Sequence, residues 1–201
     1  MRVFFAVEPD PASQKALELL LQAAAPHLRR CGRLTDIANI HLTLLFVGDW
    51  PDQQIQTLKT LLDETASRTP PFSIRFDRWG YFDHGRRGRD GRSAPAILWL
   101  GGPEFRSGDP AISTDQRTLT ELVSQLRKAA RSLGIETETR PFTPHLTLTR
   151  QLPSAEAAEI TRSLPAFEPI EFKVRHLTLM QSVPDSGHMR YDPLHRSFLS
   201  G

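Results

Sequence analysis

The tetrapeptide His-Leu-Thr-Leu occurs three times in this 201-residue chain, at residues 41–44, 145–148 and 176–179. With 7 histidines available, composition alone gives on the order of 0.01 copies, so a functional reason for the pattern has to be sought. In an extended strand alternate side chains point to opposite faces, which puts His41 and Thr43 on one face and Leu42, Leu44 and Phe46 on the other. His145 and Thr147 repeat the arrangement over Leu146 and Leu148. Two such strands at one cleft would bring two imidazoles and two hydroxyls to a single ligand.

Imidazole titrates near pH 6.5, so of two rings in one cleft one can be neutral while the other is protonated. That combination suits phosphoester hydrolysis. The neutral ring takes a proton from water, the cationic ring gives one to the leaving oxygen, and the threonine hydroxyls donate to the nonbridging phosphoryl oxygens. A zinc site is a weaker reading, because neither copy has the i, i+4 spacing of a helical His pair and no third ligand accompanies them. Cys31 is the only cysteine, which rules out an intrachain disulfide and a cysteine-based metal cluster. Neither metal nor cofactor is expected.

The third copy differs in its setting. Within residues 171–181, Phe172 and Val174 share the parity of His176, whereas Leu177 and Leu179 take the other. The apolar face switches midway, and a bulge is expected there. His176 also follows Lys-Val-Arg rather than the Asn-Ile or Thr-Pro that precede the other two. It is read as a surface or strand-packing histidine with no catalytic role.

The elements that must hold these strands are legible as alternating patterns. Residues 2–7 read as a strand and 9–25 as a helix, with Asp10 at its N-cap and Pro11 at its first position. Residues 39–47 form a strand and 52–66 a helix; 72–79 and 96–100 pair as a long hairpin across a Gly/Arg-rich connection. After a loop at 101–115 come a helix at 116–133, ended by Gly134, a strand at 144–149 and a short helix at 154–164. Strands at 171–181 and 189–199 close the chain around a turn at 184–187. The order implies two α+β halves in one domain, residues 1–201, each carrying one copy of the motif.

Hydrophobic residues at 39% and charged residues at 24% are ordinary globular usage, which excludes a disordered or fibrous chain. No apolar run is long enough to span a bilayer, and the opening residues are too short for a signal peptide, so a cytoplasmic protein without membrane association is expected. The net charge is only +2, but Arg86, Arg87, Arg89 and Arg92 crowd one stretch. Such a patch fits an anionic partner such as nucleic acid or a solvated loop equally well.

Taken together, Arg-Val-Phe-Phe-Ala-Val at 2–7, Asn-Ile-His-Leu-Thr-Leu-Leu-Phe-Val-Gly at 39–48, Ile-Leu-Trp-Leu-Gly at 97–101, Arg-Pro-Phe-Thr-Pro-His-Leu-Thr-Leu-Thr-Arg at 140–150, and Tyr191 with Pro193-Leu194 resemble the two-histidine (2H) phosphoesterase superfamily. Within it the chain is most similar to the RNA 2′,3′-cyclic phosphodiesterases, also called 2′-5′ RNA ligase-like proteins. The resemblance implies a bilobal α+β fold of two antiparallel sheets flanked by helices, with pseudo-twofold symmetry and both histidines in a central groove. It implies that His41 protonates the leaving 3′ oxygen, that His145 activates water to leave a 2′-phosphate, and that Thr43 and Thr147 hold the phosphate. It also implies a phosphate contact for Arg150 and a base or ribose contact for Phe5. Strand parity groups Arg150 with Leu146 and Leu148, so it has to reach the site past the strand end.

The implied partners are RNA with 2′,3′-cyclic phosphate termini or small cyclic nucleotides, acted on by a monomer. The alternatives are 2′-5′ RNA ligation or small cyclic-phosphate hydrolysis on the same scaffold, and a non-catalytic RNA-end-binding protein. The departures from the family pattern are the stretch at 84–92, the loop at 103–115 and the third tetrapeptide.

Overall fold

The run Val-Phe-Phe-Ala-Val at residues 3–7 has no polar alternation, so a strand made of it has to be covered on both faces. It forms β1 (Arg2–Val7), buried from Val3 onward in the interior of a seven-stranded antiparallel sheet. This computed structural model describes residues 1–83, 94–102, 113–185 and 188–201. The Arg-rich stretch at 84–92, most of the loop at 103–115, and Ser186 and Gly187 of the turn lie outside the described residues.

The chain continues as α1 (Pro11–Ala24), β2 (Leu42–Asp49), α2 (Ile55–Ala66), β3 (Phe72–Phe76), β4 (Arg78–Phe82), β5 (Ala96–Gly101), α3 (Thr114–Ser132), β6 (His145–Leu152), α4 (Ala157–Ser163), β7 (Ile170–Val174), β8 (His176–Asp185) and β9 (His188–Phe198). The large sheet runs β4-β5-β6-β2-β1-β8-β9, and β3 pairs with β7 in a second, two-stranded sheet. The α+β class with two antiparallel sheets and flanking helices is therefore the one the sequence implies.

The strand order contains an internal repeat. The succession β1-α1-β2-α2-β3-β4 has the same form as β5-α3-β6-α4-β7-β8, and the order β4-β5-β6 to one side of the centre mirrors β8-β1-β2 to the other. The centre is the antiparallel pair β6-β2, which meets at Leu42 and Leu146, and β3 pairs with β7 across the same axis. β2 and β6, the strands of the first two tetrapeptides, are thus equivalent; β8, which carries the third, is the counterpart of β4.

Local chemistry bounds the helices, at the expected Asp10-Pro11 and Gly134 but two residues before the expected 116 at the start of α3. Asp10 caps α1 by accepting from the Ala12 and Ser13 amides, with Pro11 at the first position. Ser113 and Gln116 form a capping box on α3, and Gly134 ends it at φ +77°. Leu17, Leu58, Leu62, Leu119, Leu122 and Leu126 from the helices share one buried cluster with Phe5, Leu42, Leu98, Leu146 and Leu177 of the large sheet and with Phe76 and Phe172 of the small one. The other face of the large sheet carries a small separate cluster of Phe4, Ala6 and Met180, against which Tyr191 packs.

Two expected strands prove to be two strands each. The segment 72–79 divides at Asp77: Phe72–Phe76 pairs with Ile170–Val174, and only Arg78–Phe82 forms the hairpin with Ala96–Gly101. The segment 171–181 divides at Arg175 in the same way. Its parity switch marks a change of sheet rather than a bulge within one strand.

Candidate active site

β2 and β6 meet antiparallel at Leu42 and Leu146. One step along that register sets Thr43 across from His145, and His41 across from Thr147. Leu42, Leu44, Leu146 and Leu148 are buried in the main core, which commits the His-x-Thr face of both strands to the opposite side. One half-buried imidazole and one half-buried hydroxyl from each half thus occupy the same face at the pseudo-twofold axis.

Each strand then carries a bulge at the same place. In β2, Phe5 pairs with Leu45 but Ala6 with Thr43, leaving Leu44 as an extra residue; in β6, Leu98 pairs with Thr149 but Trp99 with Thr147, leaving Leu148 extra. Leu44-Leu45 and Leu148-Thr149 are consequently buried as consecutive pairs, and the next side chain of each strand emerges on the histidine face. In β2 that side chain is Phe46, 44% exposed. In β6 it is Arg150. Simple alternation groups Phe46 and Arg150 with the core leucines, and the bulges reverse both assignments, so Arg150 does not have to reach around the strand end. The bulge in β6 is tied down: the Thr35 amide donates to the Leu148 carbonyl at 2.7 Å, and Thr149 Oγ1 donates to the Arg33 carbonyl at 2.9 Å.

The two imidazoles are held alike. Nδ1–H of His41 donates to the Asn39 carbonyl at 2.8 Å, and Nδ1–H of His145 donates to the Thr143 carbonyl at 2.8 Å. A carbonyl only accepts, so the proton of each neutral ring resides on Nδ1 and the Nε2 lone pair is left for chemistry. Thr43 Oγ1 donates to Nε2 of His41 at 3.1 Å.

The surroundings differ. His41 lies with ring centroids 4.8 Å from Phe4 and 4.8 Å from Tyr191, and Phe4 stacks on Phe46 at 5.8 Å. Burial pushes the His41 pKa down to about 4; the Asn39 carbonyl opposes this, while the charges of Arg150 and His145 add to it. His145 packs edge-on to Phe82 at 4.9 Å, with Trp99 at 6.4 Å. Its pKa is also lowered, first by burial and further by Arg150. Arg150 therefore acts on both rings, as a cation placed for their common ligand would.

Phe5 is a correction. It is 0% exposed in the main core, on the face away from the histidines. Phe4 is the aromatic that faces His41. Because β1 is covered on both sides, its sequence has no alternation from which to tell Phe4 from Phe5, and the pairing of Ala6 with Thr43 decides it. Asn39, Tyr191, Phe82 and Trp99 are further site residues to which motif reasoning assigned no role. Asn39 Nδ2 donates to the Met189 carbonyl at 3.1 Å, and the Tyr191 amide donates to Asn39 Oδ1 at 3.3 Å. That clamp sets Tyr191 of β9 against His41. A hollow of about 190 Å³ adjoins it, lined by Arg33, Asn39, Arg150, His188 and Tyr191 among others.

His176 does not join this pair. Its Nε2 lies 3.4 Å from Glu8 Oε2, in a cluster with Thr178 and Arg196. Among the described residues no group of three or more His, Cys, Asp or Glu side chains converges as a metal site, and no helix is long and apolar enough to cross a membrane.

A sequence profile of the 2′-5′ RNA ligase superfamily matches residues 9–185. The curated RNA 2′,3′-cyclic phosphodiesterase of Escherichia coli (strain K12) is 30% identical over 196 residues, 97% of this chain and 94% of its own length. A protein of the same name from Geobacillus stearothermophilus is 32% identical over 145 residues, 71% of this chain but only 40% of that protein. The crystal structure of E. coli LigT in apo form is similar with a TM-score of 0.75 at 28% identity, covering 100% of this chain and 98% of that one. LigT complexed with 3′-AMP gives 0.73 at 26% identity with the same coverage. With its two motifs on equivalent strands, the chain belongs to the 2′-5′ RNA ligase superfamily of two-histidine phosphoesterases.

Proposed function

We propose that this protein hydrolyses RNA 2′,3′-cyclic phosphate ends to 2′-phosphates by general acid/base catalysis between His41 and His145, without a metal ion. The observation that carries this reading is the pair of His-x-Thr units on symmetry-equivalent strands, each ring with Nδ1 pinned to a backbone carbonyl so that Nε2 carries the lone pair, which in His41 accepts from the Thr43 hydroxyl. The names of the relatives support the substrate class.

Water attacks phosphorus as His145 Nε2 takes its proton, the P–O3′ bond breaks, and His41 Nε2–H delivers a proton to the departing O3′. The products are a 2′-phosphomonoester and a free 3′ hydroxyl. Proton exchange with solvent then resets the two rings. Thr43, Thr147 and Arg150 stabilise the charge on the nonbridging oxygens. In the free site His41 carries the larger pKa shift, so its role as acid depends on the bound phosphate: the anion, inserted beside a buried imidazole, favours the charged ring. Both histidine strands belong to one chain, and one core cluster joins the two halves, which supports a single bilobal domain acting as a monomer.

The test is to incubate the protein with RNA ending in a 2′,3′-cyclic phosphate and identify the terminal product. A 2′-phosphate is expected. A 3′-phosphate would reverse the leaving group, and no opening at all would remove the activity. Joining of a 2′,3′-cyclic phosphate end to a 5′-hydroxyl, in which the hydroxyl replaces water as the attacking group and the P–O3′ bond breaks as before to leave a 2′-5′ diester, is the second reading, supported by the superfamily's name.

A further inference from the structure

His176, in the motif copy that catalysis leaves unused, lines a second cavity. Thr43 on β2 pairs across Ala6 on β1 to Thr178 on β8, and Thr178 pairs to Arg196 on β9, so these four side chains form one row on the histidine face. Thr178 is two strand spacings from Thr43, roughly 10 Å. Beside this end of the row is a cavity of about 500 Å³ lined by Glu8, Pro9, Asp10, Pro11, Lys173, Arg175, His176 and Arg196.

Its acidic groups are already committed. Glu8 accepts both arms of Arg196 at 2.8 and 2.9 Å and the Thr178 hydroxyl at 2.6 Å. Burial alone would raise the Glu8 pKa, but Arg196, His176 and Thr178 outweigh it and hold the carboxyl well below its usual range. Asp10 is occupied by the first amides of α1, the Ser13 hydroxyl and the Lys173 amide. Lys173 and Arg175 are exposed at the point where the chain passes from the small sheet to the large one, and neither has an ion pair among the described residues. The lining thus sets Lys173, Arg175 and Arg196 against Glu8 and Asp10, a net charge of +1, with Glu8 and Arg196 paired and Lys173 and Arg175 outside any ion pair among the described residues.

We propose that this cavity is a second phosphate subsite, in which Lys173 and Arg175 hold a backbone phosphate of the RNA chain upstream of the reacting end. It rests on the cyclic phosphodiesterase reading for its substrate. The site lies on the face that carries the histidines, its net charge is positive, and Thr178, which bonds Glu8 at its edge, stands two strands from Thr43, an offset that suits a group further along the RNA than the one being cleaved. His176 and Thr178 serve it indirectly, by fixing Glu8 and through it Arg196.

The experiment compares wild type with the double variant Lys173→Ser/Arg175→Ser on a 2′,3′-cyclic mononucleotide and on a hexanucleotide RNA ending in a 2′,3′-cyclic phosphate. For the hexanucleotide, KM at low salt should rise about 10-fold, and the slope of log(1/KM) against log salt should become shallower by about 0.7, the amount expected when contact with one phosphate on a single strand is lost. Mononucleotide kinetics should stay within two-fold. An unchanged hexanucleotide KM and slope, or an equal loss on both substrates, overturns the subsite. Inactivity of the wild type on both substrates would instead defeat the cyclic phosphodiesterase reading. Fluorescence anisotropy of a labelled 3′-phosphorylated hexanucleotide then decides the subsite separately: equal affinity of the two proteins ends it, and weaker binding by the variant upholds it.

Discussion

His41 and His145 open identical tetrapeptides on equivalent strands, pinned by the same backbone contact and followed by the same bulge, yet the two halves treat them differently. The residue that emerges after the bulge is Phe46 in one half and Arg150 in the other. Phe4, Phe46 and Tyr191 make an apolar wall around His41, whereas Arg150 gives the His145 half its cation. A pseudo-symmetric scaffold delivers two equal imidazoles; acid and base need unequal ones. The inequality comes from the surrounding side chains, with the duplicated backbone left alone.

The comparison can be broken most sharply at the histidines. His41→Ala and His145→Ala should each lose at least about 10²-fold in kcat on a cyclic-phosphate substrate, the amount expected of a missing general acid or base, while His176→Ala stays within a few-fold on a mononucleotide. A folded His176→Ala protein as inactive as the other two would put the catalytic pair in the wrong place.

Next in size is the Phe46/Arg150 difference. If Arg150 contacts the phosphate as proposed, Arg150→Ser should lower kcat/KM on the order of 10-fold through lost charge-assisted hydrogen bonds, whereas Phe46→Ser, at the equivalent position, should cost only a few-fold. Equal losses would mean that the bulges do not divide the labour.

A smaller effect concerns protons. His41 has a folded pKa of about 4 against 6.5 for an ordinary histidine, so between those values the unfolded chain binds more protons. Its contribution to stability is complete above about pH 6.5 and is lost as pH falls toward 4. If 3′-AMP occupies the proposed site, its phosphate should reverse part of the shift and take up a proton near pH 6, so that affinity weakens as pH rises. Proton NMR of the His41 ring with and without the nucleotide measures this, and a free midpoint near 6.5 would erase the inequality between the halves. The rate should follow a bell-shaped pH profile belonging to the coupled pair.

The smallest expected effect is none: activity should survive saturating EDTA, because both proton transfers are assigned to side chains. Loss of activity restored by one divalent ion would return a metal to the mechanism.

The sequence by itself singled out the four motif residues, the α+β class and the different setting of His176, because these depend on alternation, flanking residues and helix chemistry that act over a few neighbours. His41, Thr43, His145 and Thr147 alternate with leucines that must be buried, and Asp10-Pro11 and Gly134 bound their helices by local backbone preference. The face of β1, the placement of Phe46 and Arg150, and the sheet changes at Asp77 and Arg175 were decided by tertiary structure. A bulge is a mismatch between two strands: a parity switch in one strand, as at 171–181, can equally mark a change of sheet, a run such as Leu44-Leu45-Phe46 does not say which residue is extra, and a strand covered on both sides carries no parity to read. Only the partners of β1, β2 and β6 fix which side chains meet the histidines, and they choose Phe4 over Phe5 and bring Arg150 to the histidine face.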